Sequence, residues 1–139
     1  MAQKYIIGDL IKCKVGGLEF IAEITNTSKY GYCFKAVSDD ISGTLCKEFA
    51  KDIPLTTEIL EKNGWKRNGG QYSFTYKPYA GGKVELIGFF IEMFKDVHDM
   101  LKHRYFQITH ENKVICGCFY VHEIQHLLFG LGLNSEMEV

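Results

Sequence analysis

The sequence lacks any long apolar run: no stretch approaches the roughly 20 residues that an apolar helix needs to cross a bilayer. Residues 1–9 also lack the apolar core of a secretory signal peptide. Neither charge is in surplus, because 16 Lys and Arg face 17 Asp and Glu, whereas proteins that bind polyanions over their whole surface are usually basic. We therefore expect a cytoplasmic protein without a membrane partner, in which any nucleic-acid site rests on a local patch.

Cysteine pairs with the Cys-x2-Cys spacing of metal sites are absent as well. The cysteines are odd in number, which disfavours a disulfide framework, and a buried thiol behaves as a small hydrophobic side chain. The five are Cys13, Cys33, Cys46, Cys116 and Cys118. The last two are two residues apart, so on a strand they share one face. We predict neither a structural zinc ion nor a cofactor.

Hydrophobic residues are abundant, by contrast, at 46% of 139 residues, and 14% of the chain is aromatic. This content is enough for a packed core in one domain or in two small lobes. Residues 9–50 have the pattern of four or five short strands, with turns at Gly16 and Gly17 and at 26–31. Strands of this number and length favour a small bent barrel. We therefore predict an α+β protein in which residues 1–52 form a small SH3-like β-barrel.

Residues 53–139 are predicted to form a second, α+β lobe. Pro54 ends the preceding strand, Thr56 is a suitable N-cap and Gly64 supplies a left-handed residue, which together predict a helix at 56–63. Alternating apolar residues and glycine-rich turns predict antiparallel strands in hairpins between 65 and 119. Residues 120–131 have helical periodicity, whereas 92–103 fit either a helix or an irregular strand.

Residues 122–126 read His-Glu-x-x-His, a spacing that places two imidazoles one turn apart on a helix. In zinc hydrolases both imidazoles bind the metal and the glutamate acts as general base. His122, Glu123 and His126 fit that pattern, but Gly132 stands where the extended pattern needs a third ligand. The upstream histidines are His98, His103 and His110. We interpret the motif as an amphipathic helix with these three polar residues partly exposed and no metal between the histidines, and keep a zinc hydrolase as an alternative.

A basic and aromatic segment extends from residue 62 to residue 83 without any acidic residue. Such a surface can hold phosphates on its cations and bases on its aromatic rings. The candidate ligand-binding residues are Trp65, Lys66, Arg67, Tyr79 and Lys83. The competing interpretation is structural, because Tyr72, Phe74 and Tyr76 alternate along one strand face and would then form core.

Two stretches resemble a family of small proteins, without an assigned activity, that gut anaerobic bacteria, their prophages and their phages encode. Residues 53–65 are similar to the family's Pro-Leu-Thr, helix, Gly-aromatic element, and residues 120–129 are similar to its C-terminal Tyr-Val-His helix. Residues 7–9, Ile-Gly-Asp before a strand, also fit. The family usually has Gln and Asn at the positions of Glu123 and His126, which implies that zinc chemistry is not a shared property. The resemblance also implies a bacterial host cell as the location.

From these patterns and the resemblance we predict a non-enzymatic binding protein of a phage or mobile element, and we assign no catalytic residue. Inhibition of a host defence system, or sequestration of its ligand, is the use that the resemblance implies. The partner is then an unidentified protein, small molecule or nucleotide, and a homo-oligomer is left open. Two alternatives remain. One is a nucleotide or single-stranded nucleic-acid binder through residues 62–83, and the other is a zinc-dependent hydrolase through residues 122–126.

Overall fold

The computed structural model describes residues 4–38, 40–69, 73–77, 84–94 and 102–139. Its strands form two five-stranded antiparallel sheets. The first sheet contains β1 (Leu10–Val15), β2 (Leu18–Thr27), β3 (Gly31–Ala36), β4 (Ser42–Cys46), a 3-10 turn (Lys47–Phe49) and β5 (Ala50–Lys51). After helix α1 (Thr57–Lys62), the second sheet contains β6 (Lys66–Arg67), β7 (Ser73–Tyr76), β8 (Leu86–Phe94), β9 (Lys102–His110) and β10 (Lys113–Cys118). Helix α2 (Val121–Gly130) follows.

The first sheet is open, which corrects the predicted SH3-like barrel. Its strand order is β4-β3-β2-β1-β5, so β4 and β5 are its edges within the described part of the chain. Closing a barrel requires the two edge strands to share a hydrogen-bond ladder. Here β5 has only two residues, which pair with Lys12 and Cys13 of β1, and the 3-10 turn separates it from β4. The barrel prediction was therefore wrong: the chain is mostly antiparallel β, in two sheets with few helices.

The first hairpin shows how local sequence sets the register of this sheet. Gly16 and Gly17 have φ angles of 54° and 88°, as a two-residue type I′ turn requires. Val15 therefore pairs with Leu18 across the hairpin. Because side chains alternate along a strand, Val15 lies on the same face as the fully buried Cys13.

Helix α1 is determined by its two ends. The Thr56 hydroxyl oxygen accepts a hydrogen bond from a backbone N–H of the first turn at 3.2 Å, and Gly64 follows the helix with a φ of 89°. The helix predicted at 56–63 corresponds to α1, Thr57–Lys62, together with the capping residues at its two ends. The left-handed residue reverses the chain, and Trp65 is consequently turned into the core, where it is 2% exposed.

The largest apolar cluster lies between the second sheet and α2. Trp65, Phe74, Phe106 and Ile124 are among its fully buried side chains. The rings of Phe74 and Phe106 pack edge to face with centroids 6.0 Å apart, a geometry that aromatic pairs prefer. Leu10 of the first sheet belongs to the same cluster, whereas most buried apolar residues of the first sheet form a second cluster of their own.

Strands β8 and β9 form the longest ladder of the second sheet, from the Ile87–Thr109 pair to the Phe94–Lys102 pair. Gly88 lies under the ring of Phe106, where an added Cβ would collide with ring atoms. The segment 92–103, for which helix and strand were both expected as alternatives, thus starts as the end of β8 and finishes as the start of β9. Residues 95–101 lie outside the described residues.

Candidate functional site

Glu123, the acidic residue of the His-Glu-x-x-His motif, caps helix α2. Its Oε1 accepts hydrogen bonds from the backbone N–H of Phe119 at 2.9 Å and from that of Tyr120 at 3.0 Å. A carboxylate at this position satisfies N–H groups at the start of the helix and interacts favourably with the helix dipole. The Glu123 carboxylate, which a hydrolase would use as general base, therefore caps the helix in this structure.

His126 is bonded to a carboxylate of the N-terminal segment. Its Nε2 lies 2.7 Å from Oδ2 of Asp9, and Asp9 is only 2% exposed. The same carboxylate oxygen accepts a hydrogen bond from the Ile6 N–H at 2.9 Å. A buried carboxylate needs such partners because an unpaired charge in the interior is costly. This pair joins residues that are 117 positions apart in the sequence.

His122 is buried, which corrects the expectation that it is partly exposed: 5% of the residue is accessible. Its ring stacks on Tyr120, with centroids 5.9 Å apart, and meets Tyr5 edge to face at 4.9 Å. Its Nδ1 is 3.8 Å from Oδ1 of Asp52 and has no hydrogen-bond partner among the described residues. Burial lowers the pKa of His122 and outweighs the nearby carboxylates, which raise it.

Asp52 is the second carboxylate near the two histidines. It accepts a hydrogen bond from the Tyr5 hydroxyl at 2.6 Å and another from the Lys4 ammonium at 2.9 Å. Burial raises the pKa of Asp52, but the two hydrogen bonds and the nearby charges together lower it by more. The pKa of Asp52 is therefore below its usual value of 3.8. Burial and the bond to Asp52 together raise the pKa of the Tyr5 hydroxyl. Asp52 is accordingly a carboxylate and Tyr5 a neutral donor at neutral pH.

These positions do not assemble a zinc site. Within the described ranges, no group of three His, Cys, Asp or Glu side chains has a geometry that could hold a metal. The rings of His122 and His126 are 5.6 Å apart and nearly perpendicular. Of the upstream histidines, His98 lies outside the described residues, and His110 is in the β9–β10 hairpin, where its Nδ1 is 3.1 Å from the Glu85 carbonyl oxygen.

Gln125, which the sequence interpretation did not single out, ties α2 to the first sheet. Its Oε1 accepts the Leu10 N–H at 2.9 Å, and its Nε2 donates to the carbonyl oxygens of Gly8 and Ser135, each at 3.1 Å. Together with the Asp9–His126 pair, it places the polar face of α2 against the start of β1. No sequence pattern connects partners that lie more than 100 residues apart.

The basic and aromatic segment does not present its tryptophan to solvent. Trp65 stacks on Tyr76 with ring centroids 4.9 Å apart, and its edge meets Phe106 at 5.2 Å. A base cannot stack on this indole unless the core opens. Arg67 forms an ion pair with Glu61 at 2.9 Å, although both side chains are substantially exposed.

Lys66 lies in a polar cavity of about 350 Å³ on the second sheet. The other residues of its wall are Gly64, Asn68, Thr75, Lys77 and Glu85. Lys77 is 3.7 Å from the Glu85 carboxylate, which neutralises part of the positive charge. The remaining predicted ligand residues, Tyr79 and Lys83, lie outside the described residues. The binding role of this segment stays a prediction.

An apolar concavity with a volume of about 430 Å³ lies in the first sheet. It opens between the β1–β2 hairpin and the edge strand β4. Its wall consists of Val15, Leu18, Glu19, Phe20, Phe34, Ile41, Thr44, Leu45, Cys46 and Phe49. Sequence reasoning missed it, because its wall combines residues of four strands and the 3-10 turn that are up to 34 positions apart, from Val15 to Phe49.

Aromatic rings form the floor of this apolar cavity and aliphatic side chains form its rim. Phe20 and Phe34 lie 5.5 Å apart between ring centroids, tilted by 44°. Leu18 is 68% exposed and Ile41 is 51% exposed. Gly43 of β4 faces Phe34: a Cβ added there would be 3.6 Å from the ring and would meet nothing else within 4 Å. A side chain at position 43 would therefore contact the ring of Phe34, which is part of the cavity wall.

Charge around the apolar cavity is balanced within the protein. Glu19 is 3.1 Å from the Lys12 ammonium and 3.7 Å from that of Lys14. The hydrogen bond from Lys12 holds the pKa of Glu19 below its ordinary value. The wall contains no histidine, and its one carboxylate is paired with lysines, so the described residues form no acid–base pair there.

No protein-family model, curated protein or solved structure matches the chain. Among the described residues, neither α1 nor α2 has the length and apolar character needed to cross a membrane.

Proposed function

We propose that the protein is a non-enzymatic binding protein whose first sheet takes up a small, largely apolar molecule in the cavity between the β1–β2 hairpin and β4. The observation that carries this proposal is the 430 Å³ apolar cavity. Small-molecule sites typically measure about 300–1,000 Å³ and are lined mostly by apolar and aromatic side chains. Volume and lining both agree with that class of site.

The wall of the cavity indicates the chemistry of the ligand. Phe20, Phe34 and Phe49 offer ring faces and edges to a planar group. Leu18 and Ile41 at the rim lose exposed apolar surface when a ligand covers them, which is the main source of affinity for such a ligand. A molecule with one aromatic ring system and few charges fits best. The one carboxylate in the wall, Glu19, is paired with Lys12 and Lys14, and the proposal is accordingly one of binding without catalysis.

A fluorescent aromatic probe, anilinonaphthalene sulfonate, tests this proposal in the folded protein. We expect saturable binding of one probe per chain, and a Gly43→Leu variant should weaken it at least tenfold because the new side chain would crowd the ring of Phe34 in the cavity wall. Val114→Ser removes an aliphatic side chain that is 60% exposed on the second sheet, and this control should leave binding unchanged. Equal affinity in the Gly43→Leu variant and the parent would argue against the cavity as the site.

The resemblance to proteins of phages and prophages suggests a use for such a site. A binding protein of this kind could sequester a small ligand of a host defence system, and this use stays a prediction. The nucleotide alternative is supported by one observation, the polar cavity with Lys66 and Lys77 in its wall. If that alternative is correct, a Lys66→Ala variant should bind nucleotide more weakly, and the affinity of the parent should fall with salt.

A further inference from the structure

We propose that Cys116 and Cys118 form a redox-modified dithiol, which low-molecular-weight disulfides oxidise reversibly to an intrastrand disulfide. The proposal is independent of the apolar cavity and depends on the geometry of β10. All five cysteines of the chain are free thiols in the structure, and these two lie in direct contact. Their Sγ atoms are 3.6 Å apart.

The strand register brings the two thiols to one face. Cys116 pairs with Ile108 of β9, and Cys118 pairs with Phe106. Both partner side chains are fully buried, so both thiols point toward the interior of the second sheet. A disulfide bond is about 2.05 Å long, so the sulfur atoms must approach by about 1.6 Å.

The backbone of β10 can accommodate that approach with some strain. Residues two apart on a strand are separated by about 6.6 Å, within the roughly 4.4–6.8 Å that disulfides span between Cα atoms, but a disulfide also holds its Cβ atoms within about 4.5 Å, so the 116–118 segment must contract by about 2 Å. The register against β9 is regular from Cys116 to Cys118, so the backbone change that a disulfide requires must occur at the residue between them. Gly117 between the cysteines adds conformational freedom. The disulfide is therefore attainable but strained, and strained disulfides are easily reduced again.

Access and acidity assign different roles to the two thiols. Cys118 is fully buried, and burial, followed by the neighbouring Cys116, raises its pKa. Cys116 is only partly buried against the core cluster, so an oxidant in solution meets it first. Cys116 is the attacking thiol and Cys118 the resolving thiol.

The reaction balances as a thiol–disulfide exchange with a disulfide RSSR. The Cys116 thiolate attacks one sulfur of RSSR, forms a mixed disulfide and releases RS⁻. Cys118 then loses its proton and attacks Sγ of Cys116, which releases the second RS⁻. Both leaving thiolates take up the protons that the cysteines lost. The protein loses two hydrogen atoms and two electrons, and RSSR becomes two RSH.

A disulfide between Cys116 and Cys118 would also affect the segment between β10 and α2. The Phe119 carbonyl oxygen accepts the Leu55 N–H at 3.0 Å, and the Val121 N–H donates to the Ile53 carbonyl oxygen at 2.9 Å. These bonds hold the segment after β10 against the connection between the two sheets. Contraction of the 116–118 segment pulls on them, so the oxidised protein should unfold at a lower temperature than the reduced one.

Intact-mass spectrometry after incubation with oxidised glutathione tests the proposal. The parent for this experiment carries Cys33→Ser and Cys46→Ser, which removes the other two thiols that are not buried. We expect a species lighter by about 2 Da, the mass of two hydrogen atoms. Digestion should map it to the peptide with both cysteines, and dithiothreitol should reverse it. Cys13 is the internal control, because burial raises its pKa to about 11, and it should stay reduced.

A Cys118→Ala variant separates the two steps. Without the resolving thiol, Cys116 should keep one glutathione and the lighter species should disappear. The proposal is overturned if the parent itself accumulates glutathione on Cys116 without losing hydrogen. It is equally overturned if both thiols stay reduced under conditions that oxidise the urea-unfolded chain. A Cys116→Ser variant that still yields the lighter species would also contradict it.

Discussion

His122 is a histidine whose pKa is dominated by burial. Loss of solvation lowers the pKa of its imidazole below 6.5, and the carboxylates of Asp52, Asp9 and Glu123 only partly oppose that effect. The folded protein therefore binds fewer protons than the unfolded chain when the pH falls below 6.5. Stability must rise with pH in that window. The stability that the neutral, buried imidazole of His122 contributes is fully present above pH 6.5, and it is lost as the pH falls through the lowered pKa of that group.

A His122→Phe variant tests this linkage. Phenylalanine keeps an aromatic ring between Tyr5 and Tyr120 and removes the titrating group. We expect the free energy of unfolding of the variant to decline less steeply than that of the parent as the pH falls below 6.5. Asp52 acts in a separate window, because its pKa is lowered from 3.8. Urea titrations over a pH series give the slopes, and equal slopes would contradict the role assigned to His122.

Glu123 is the second residue whose role the structure redefines. As a cap, it should matter for stability in the absence of any substrate. We expect Glu123→Ala to lower the free energy of unfolding by about 1 kcal/mol, the usual value of an N-terminal cap. Glu136→Ala, at an exposed position after α2, should change it by less than about 0.5 kcal/mol. Chemical denaturation measures both, and equal effects would mean that the hydrogen bonds to Phe119 and Tyr120 contribute nothing.

At the scale of single elements, local chemistry made some structures predictable from the sequence. Thr56 and Gly64 mark the ends of α1, and Gly16 and Gly17 mark the first hairpin, because caps and left-handed residues act within a few positions. The openness of the first sheet was not predictable in this way. It depends on whether the two residues of β5 leave β4 as a free edge, and that is a property of tertiary pairing.

The candidate sites likewise combine features that were predictable from local sequence with features that were not. The two histidines could be placed one turn apart on a helix from their spacing alone. Their environments could not be predicted, since the carboxylates of Asp9 and Asp52 reach them across 117 and 70 positions. Trp65 was expected to face a ligand because its sequence neighbours are basic, but the turn at Gly64 directs it into the core.

Two glycines, Gly88 in β8 and Gly130 in α2, offer a contrasting pair of substitutions. Gly88→Ala would place a methyl group against the ring of Phe106, and we expect it to cost about 1–3 kcal/mol through overpacking. Gly130, in the last turn of α2, has nothing within 4 Å of an added Cβ and no positive φ. Gly130→Ala should therefore be neutral or stabilising by up to about 1 kcal/mol. Thermal unfolding of both variants distinguishes the sites, and similar melting temperatures would contradict the packing at Gly88.

At the scale of the whole molecule, α2 holds the two sheets together. One side of the helix packs into the apolar cluster of the second sheet, and the other side bonds to the start of β1. Gln125 satisfies three backbone groups that would otherwise lie without partners near the interior. Buried polar groups without partners each cost about 1–3 kcal/mol.

Gln125→Leu removes these three hydrogen bonds and keeps the apolar volume. We expect a loss of about 2–4 kcal/mol in the free energy of unfolding and faster hydrogen exchange at the Leu10 amide, whose acceptor is lost. Gln107→Leu, on the outward face of β9, is the matched control and should change stability by less than about 1 kcal/mol. If the Leu10 amide exchanged at the parental rate, the bond to Gln125 would not be what protects it.

The bond between Asp9 and His126 also has a consequence in time. A ribosome synthesises the chain from the N-terminus, so the hairpins of the first sheet can form while most of the second sheet is still unmade. Asp9, Gly8 and Leu10 meet their partners on α2 only after the last turns of that helix have left the ribosome. Until then, the Asp9 carboxylate, the Gly8 carbonyl group and the Leu10 amide, which the folded protein bonds to α2, remain in water. The first sheet therefore stays incomplete until α2 has been synthesised, and its burial against that helix follows the synthesis of the second sheet.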